Sequence, residues 1–167
     1  MAEEDIKTKH VEPMSVVCKS FQGPYDQTED VLDELMGWIM RVGHPFCAPP
    51  RAVYYDDPEE VPEDELRAEV CLPVAERVMG DDEVENKQLP ETEVAYIMHE
   101  GPYDGIPAVY EELFSWIEEN DYTFREGLGT REVFHKLYGE VETEEQLVTE
   151  VQVPIEKAGE VDASDSE

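Results

Sequence analysis

The chain has 167 residues, with 12 lysines and arginines against 43 aspartates and glutamates, a formal net charge of −31. Such a surface repels nucleic-acid phosphates and anionic lipid headgroups, which excludes direct DNA or RNA binding and membrane attachment as expected roles. An apolar fraction of 40% still suffices for a packed core, so one domain or two small coupled halves is expected.

Residues 1 to 12 are polar and are expected to be frayed. They carry no apolar run, so no signal peptide is expected, and no stretch approaches the roughly 20 apolar residues that span a bilayer. The expected location is cytoplasmic. Residues 14 to 21 have strand composition, and Gly23-Pro24 ends the run. Asp26 stands at an N-cap position with Glu29 three residues on, and Val31, Leu32, Leu35, Trp38, Ile39 and Val42 follow at helical spacing. This predicts a helix over 27–42, closed by Gly43 and Pro45. Strands are predicted at 51–55 and 66–74, with the acidic, proline-broken loop 56–64 between them.

The same order then returns. Gly23-Pro24-Tyr25-Asp26 recurs as Gly101-Pro102-Tyr103-Asp104, and residues 23–41 match 101–119 at nine of nineteen positions, including Trp38 with Trp116. Residues 66–74 answer 148–155 at an offset of 81. A strand is expected at 93–100, then a helix to about Asn120 capped by Asp104 with Pro107 in its first turn, then strands at 131–138 and 147–154. The expected fold is therefore α+β, a tandem β-α-β-β duplication with half-repeats 14–74 and 93–155 and a connector over 75–92. Pseudo-twofold pairing of the halves would leave a ligand groove between their helices. Residues 157–167 form an acidic tail expected to be disordered.

Comparing the halves singles out one acid. Arg51-Ala52-Val53-Tyr54-Tyr55 lies over Arg131-Glu132-Val133-Phe134-His135 at an offset of 80. Alternation puts Glu132, Phe134 and Tyr138 on one strand face, where the first half has Ala52 and Tyr54. The other face, with Arg51, Arg131 and His135, reads as the wetter one. A carboxylate in aromatic company is expensive to bury and is retained mainly for function.

Cys18, Cys47 and Cys71 form no C-x-x-C and read as small buried hydrophobes in a reducing compartment. His10, His44, His99 and His135 lack metal-ligand spacing, and Gly127-Leu128-Gly129 is too short for a phosphate loop. No metal, nucleotide or flavin cofactor is expected.

The doubled β-α-β-β order, the Gly-Pro-Tyr before each Trp-containing helix, the Arg-Glu-Val-Phe strand and the closing Thr-Glu-Val-Gln-Val-Pro-Ile together resemble the GyrI-like, AraC-type effector-binding domains. The resemblance covers residues 12–156. It implies a small-molecule-binding protein that takes aromatic or cationic lipophilic ligands in the groove, with Glu132 as the pocket acid. Tyr25, Trp38, Tyr54, Tyr103, Trp116 and Phe134 are the aromatic residues expected to line it. Only about a dozen residues precede the first strand, so a stand-alone member without a helix-turn-helix is expected. Two alternatives stand beside binding: a hydrolase of reactive small electrophiles using Glu132, and an acidic gyrase-inhibitor-like interaction protein with a basic partner. The acidity itself is read first as halophilic or solubilising, and as a binding surface only second.

Overall fold

The computed structural model describes residues 6–43, 46–56, 60–75, 79, 84–102, 105–125, 127–136 and 141–157. The fold is α+β, with antiparallel strands and two α-helices among the described residues. The chain divides into two compact units: Glu12–Glu91, and Thr92–Glu167 together with Met1–Val11.

In the first unit, β2 (Met14–Gln22), α1 (Thr28–Val42), β3 (Arg51–Tyr54) and β4 (Arg67–Pro73) follow the predicted order. β4 pairs with β2 on one side and β3 on the other. The turn after β2 explains its repeated Gly-Pro. Gly23 holds φ +131°, a region that only glycine enters without strain, and its N–H donates to the Leu66 carbonyl at 2.8 Å. In the second unit Gly101 does the same, with φ +120° and a 2.9 Å bond to the Leu147 carbonyl. The helix start differs from expectation. Pro24 leads into a 3-10 turn, Tyr25–Gln27, so α1 begins at Thr28, one residue later than predicted, and Asp26 lies within the turn. Its N-cap is Gln27 without a side-chain bond, and the Thr28 hydroxyl donates instead to the Tyr25 carbonyl at 2.7 Å. Gly43 ends the helix as predicted, at φ +74°.

The second unit contains β6 (Thr92–Glu100), α2 (Ile106–Glu119), β7 (Tyr122–Phe124), β8 (Thr130–Lys136) and β9 (Val148–Lys157). β9 pairs with β6, β8 and β7. Asp104, the expected cap of α2, lies outside the described residues with Tyr103; Gly105 occupies the N-cap. Strand β9 runs to Lys157, past the predicted strand end at 154 and into the first residue assigned to the tail. The remaining tail residues, 158–167, lie outside the described residues, as does Tyr138.

Two strands were not foreseen. Lys7–Val11, expected to fray, is β1 and pairs with β6; Glu85–Leu89, expected to be connector, is β5 and pairs with β2. Both are short, polar edge strands held by backbone ladders, so they carry little apolar alternation to betray them. The registers correspond at fixed offsets. Lys9 faces Val94 and Lys87 faces Val16; Glu132 faces Val151 and Ala52 faces Val70.

Each helix packs its apolar stripe on one sheet face of its own unit. Helix α1 lies on β2 and β4, and α2 on β6, β7 and β9. Leu113 of α2 is fully buried among Ala95, Ile97, Val151 and Val153. Burying such a leucine contributes about 1.5–3 kcal/mol. The opposite faces are also buried: Val16, Cys18, Val53 and Cys71 form an apolar cluster there in the first unit. Of the residues read as lying on the wetter side, Arg51 and Arg131 are buried, whereas His135 is exposed. Arg51 reaches the Pro49 carbonyl at 3.1 Å, one way a guanidinium is kept satisfied at depth. Cys18 and Cys71 are buried as expected, but Cys47 is exposed.

Candidate ligand site

Glu132 sits on β8, opposite the fully buried Val151 of β9, so it points to the sheet face that α2 covers. Helix α2 brings Tyr110 over it, and the phenol donates a 2.8 Å hydrogen bond to Glu132 Oε2. Glu132 is half-buried, and its loss of solvent pushes the carboxyl up to about 7, outweighing the Tyr110 bond, which favours the ionised form. Phe134, two residues along the same strand face, is buried beside it in sequence. Trp116 lies farther along α2 and stacks on Tyr122 of β7, with ring centroids 5.8 Å apart and planes 13° off parallel. Tyr110, Trp116, Tyr122 and Phe124 all pack against the apolar cluster under α2.

The aromatic residues expected from the first half make the following contacts within their unit. Tyr25 and Tyr54 rings meet at 4.5 Å, tilted by 50°. The Tyr25 hydroxyl lies 2.9 Å from the Arg67 carbonyl and accepts from the Asp56 N–H at 3.1 Å. Thr28 already donates its single proton to Tyr25, so in the 3.0 Å Thr28–Tyr54 contact the Tyr54 phenol is the donor. These phenols tie β3 and the loop after it to the start of α1. Trp38 is buried on α1 and borders a small cleft with Lys19, Glu34, Arg41 and Val84. Tyr25, Trp38 and Tyr54 belong to the first unit and Glu132 to the second.

Sequence reasoning missed Tyr110, although the repeat held a signal for it. Its counterpart at the offset of the Gly-Pro-Tyr match is Leu32, buried on α1, so a phenol stands where the first half has a leucine, as Glu132 stands where it has Ala52. It also missed a pair of buried carboxylates on the faces away from the helices. Glu150 accepts from Lys9 at 2.6 Å and from Gln152 at 2.8 Å, and its other oxygen lies 2.8 Å from His135 Nε2. Burial alone would raise its pKa, but the bonds from Lys9, Gln152 and His135 win and hold it below the ordinary value. Lys9 also lies 4.4 Å from the Tyr96 ring centroid. In the first unit Glu69 takes the matching place, with Lys87 at 2.5 Å and the Tyr55 hydroxyl at 2.6 Å.

Residues 4–156 match the model of the GyrI-like small molecule binding domain. The chain belongs to that family. It is 31% identical over 124 residues to DNA gyrase inhibitor 2 of Dickeya dadantii (strain 3937), covering 70% of this chain and 76% of that protein. The EcmrR C-terminal domain shares the fold at a TM-score of 0.82 and 22% identity, over 91% of this chain and 97% of that domain. In the EcmrR–DNA complex the chain spans only 57% of the EcmrR polypeptide. SAV2435 bound to tetraphenylphosphonium has the fold at a TM-score of 0.57 and 9% identity, over 90% of this chain and 93% of that one. No described helix is long and apolar enough to cross a membrane.

Proposed function

We propose that this GyrI-like domain binds a lipophilic cation, with the Glu132 carboxylate as counter-charge and Tyr110 orienting it. One observation carries the reading. Glu69 and Glu150 each hold a lysine, whereas the contact that holds Glu132 among the described residues is the neutral Tyr110 phenol. A carboxyl with a pKa of about 7 is only part-ionised at neutral pH when alone and gains most from a guest that brings its own positive charge. The Phe134 and Trp116 rings on the same elements suit a flat or aryl-bearing cation, which gains roughly 0.5–2 kcal/mol over an aromatic face. The tetraphenylphosphonium complex of SAV2435 supports the ligand class. The corresponding registers and turns of the two units support a duplicated β-α-β-β module, of which only the second copy acquired the acid.

The test is calorimetric titration with tetraphenylphosphonium. Glu132→Gln should weaken binding by about 10- to 100-fold, equivalent to 1.4–2.8 kcal/mol. Affinity should rise with pH up to about 7 and level off above it, because binding draws Glu132 into its ionised form. Unchanged affinity in Glu132→Gln removes the site assignment.

The same pKa favours a second reading, in which Glu132 is a general base toward a reactive electrophile. Glu132→Gln would then lower turnover by about 10²-fold or more while affinity for a neutral substrate survives. The kinship to a DNA gyrase inhibitor supports a third, interaction with gyrase. Salt-sensitive inhibition of supercoiling, preserved in Glu132→Gln, would favour it over ligand binding.

A further inference from the structure

On the face of the first unit turned away from α1, Cys18 of β2 and Cys71 of β4 are directly opposed across the ladder, and both are fully buried. Glu69 stands two residues from Cys71 on the same face of β4. The two sulfurs and a Glu69 carboxylate oxygen all lie within 4.8 Å of one another. The matching places in the second unit hold Tyr96 and Gln152, so there the common Lys–Glu pair stands without thiols. The absence of any metal-ligand spacing in the sequence does not bear on this cluster, because its members come from two strands 51 residues apart.

We propose that Cys18, Cys71 and Glu69 form a binding site for a thiophilic divalent cation, with Zn²⁺ as the natural class of occupant. Three observations support it. The first is geometric: ligand atoms around a tetrahedral zinc stand about 3.5–3.8 Å apart, given Zn–S near 2.3 Å and Zn–O near 2.0–2.2 Å. Cys18 Sγ is already 3.9 Å from Glu69 Oε2, and it lies 3.7 Å from the Glu85 carbonyl, a further oxygen within reach. The second is orientation. Tyr55 donates to Glu69 Oε1 at 2.6 Å, which fixes the carboxylate with Oε2 toward the sulfur, as outer-shell donors do around metal ligands. The third is charge. Two thiolates, one carboxylate and the Lys87 ammonium sum to −2, which a divalent cation neutralises in a buried site. Without metal the same group is neutral as two thiols and one Lys–Glu pair, so both states are compatible with burial. Entry of the ion forms two metal–sulfur bonds and releases the two S–H protons to solvent, with no change of oxidation state. Thiolate ligands select zinc or cadmium over magnesium or calcium.

The experiment uses the full chain carrying Cys47→Ser, which removes the exposed thiol. Reduced protein is titrated anaerobically with Cd²⁺ alone, following the thiolate-to-metal charge-transfer band, and its melting is measured with and without Zn²⁺. The expected result is one equivalent bound, a raised Tm with Zn²⁺, and no response to Mg²⁺. Glu69→Gln should weaken binding by about 10- to 100-fold. Cys18→Ala and Cys71→Ala, checked for folding by circular dichroism, should each abolish the band. Absence of both band and Tm shift in Cys47→Ser overturns the proposal without requiring any core variant to fold. A band that survives in folded Cys18→Ala or Cys71→Ala overturns it equally.

Discussion

The two units place different chemistry at the same register. Over β9 the second unit sets Glu132 under Tyr110; over β4 the first unit sets Ala52, with Leu32 at the matching position of α1. Ala52 is 0% exposed and Leu32 1%. On the opposite faces the units agree, each burying a glutamate against a lysine from its edge strand. A carboxylate paired with an ammonium can be repeated wherever the framework recurs, because the pair is internally neutral. A carboxyl paired with a phenol gains no opposite charge, and burial there favours its neutral form; only the second unit carries one. The difference separates an acid compensated by a lysine from one whose described partner is a neutral phenol.

The sharpest way to break this contrast is to transplant the acid. Ala52→Glu puts a carboxylate into a fully packed apolar place, and we expect roughly 4 kcal/mol or more of destabilisation by urea unfolding. Adding Leu32→Tyr should recover part of that loss; no recovery would mean the two sites are not equivalent. Next in size is Glu132→Gln. The folded pKa of about 7 lies above the ordinary 4.5, so ionisation opposes folding increasingly as pH rises between those values. The variant should match the parent in charge-related stability below pH 4.5 and gain up to about 3 kcal/mol on it above pH 7, a shift of about 1.4 kcal/mol per pH unit. A constant difference across that range would show that Glu132 is not shifted.

Removing a lysine from the shared pair tests the other half of the comparison. Lys9→Met should cost about 1–3 kcal/mol near neutral pH, less than a fully buried pair because the Lys9 side chain is 40% exposed. In the parent, Glu150 has a lowered pKa, so its contribution holds above the ordinary carboxylate range and is lost as pH falls through the folded value. Thermal melts from pH 3 to 7 should therefore show Lys9→Met converging on the parent at the acid end. The smallest effect is expected from Tyr110→Phe, about 1 kcal/mol. Since the Tyr110 bond favours ionised Glu132, its loss should move the Glu132 midpoint further above 7, read by NMR of the carboxyl carbon.

Much of the fold was legible in the residues themselves. Local rules set the long strands and both helices: period-2 and period-3.6 patterns, the glycines that turn at Gly23 and Gly101, and Gly43 at a helix end. Self-comparison also drew attention to Glu132, because an acid against an alanine stands out once two copies are aligned. Tertiary structure decided the rest. Edge strands β1 and β5 exist because a neighbour offers backbone partners, and a polar segment gives no side-chain sign of that. Arg51 and Arg131 read as lying on the wetter face by alternation, yet they are buried, as are Glu69 and Glu150, since a strand's second face stays wet only if nothing covers it. The raised pKa of Glu132 and the meeting of Cys18, Cys71 and Glu69 arise from contacts between distant segments. Composition and periodicity report how a residue sits on its own element; the partner it meets at depth, and hence its charge, is set only when the elements pack.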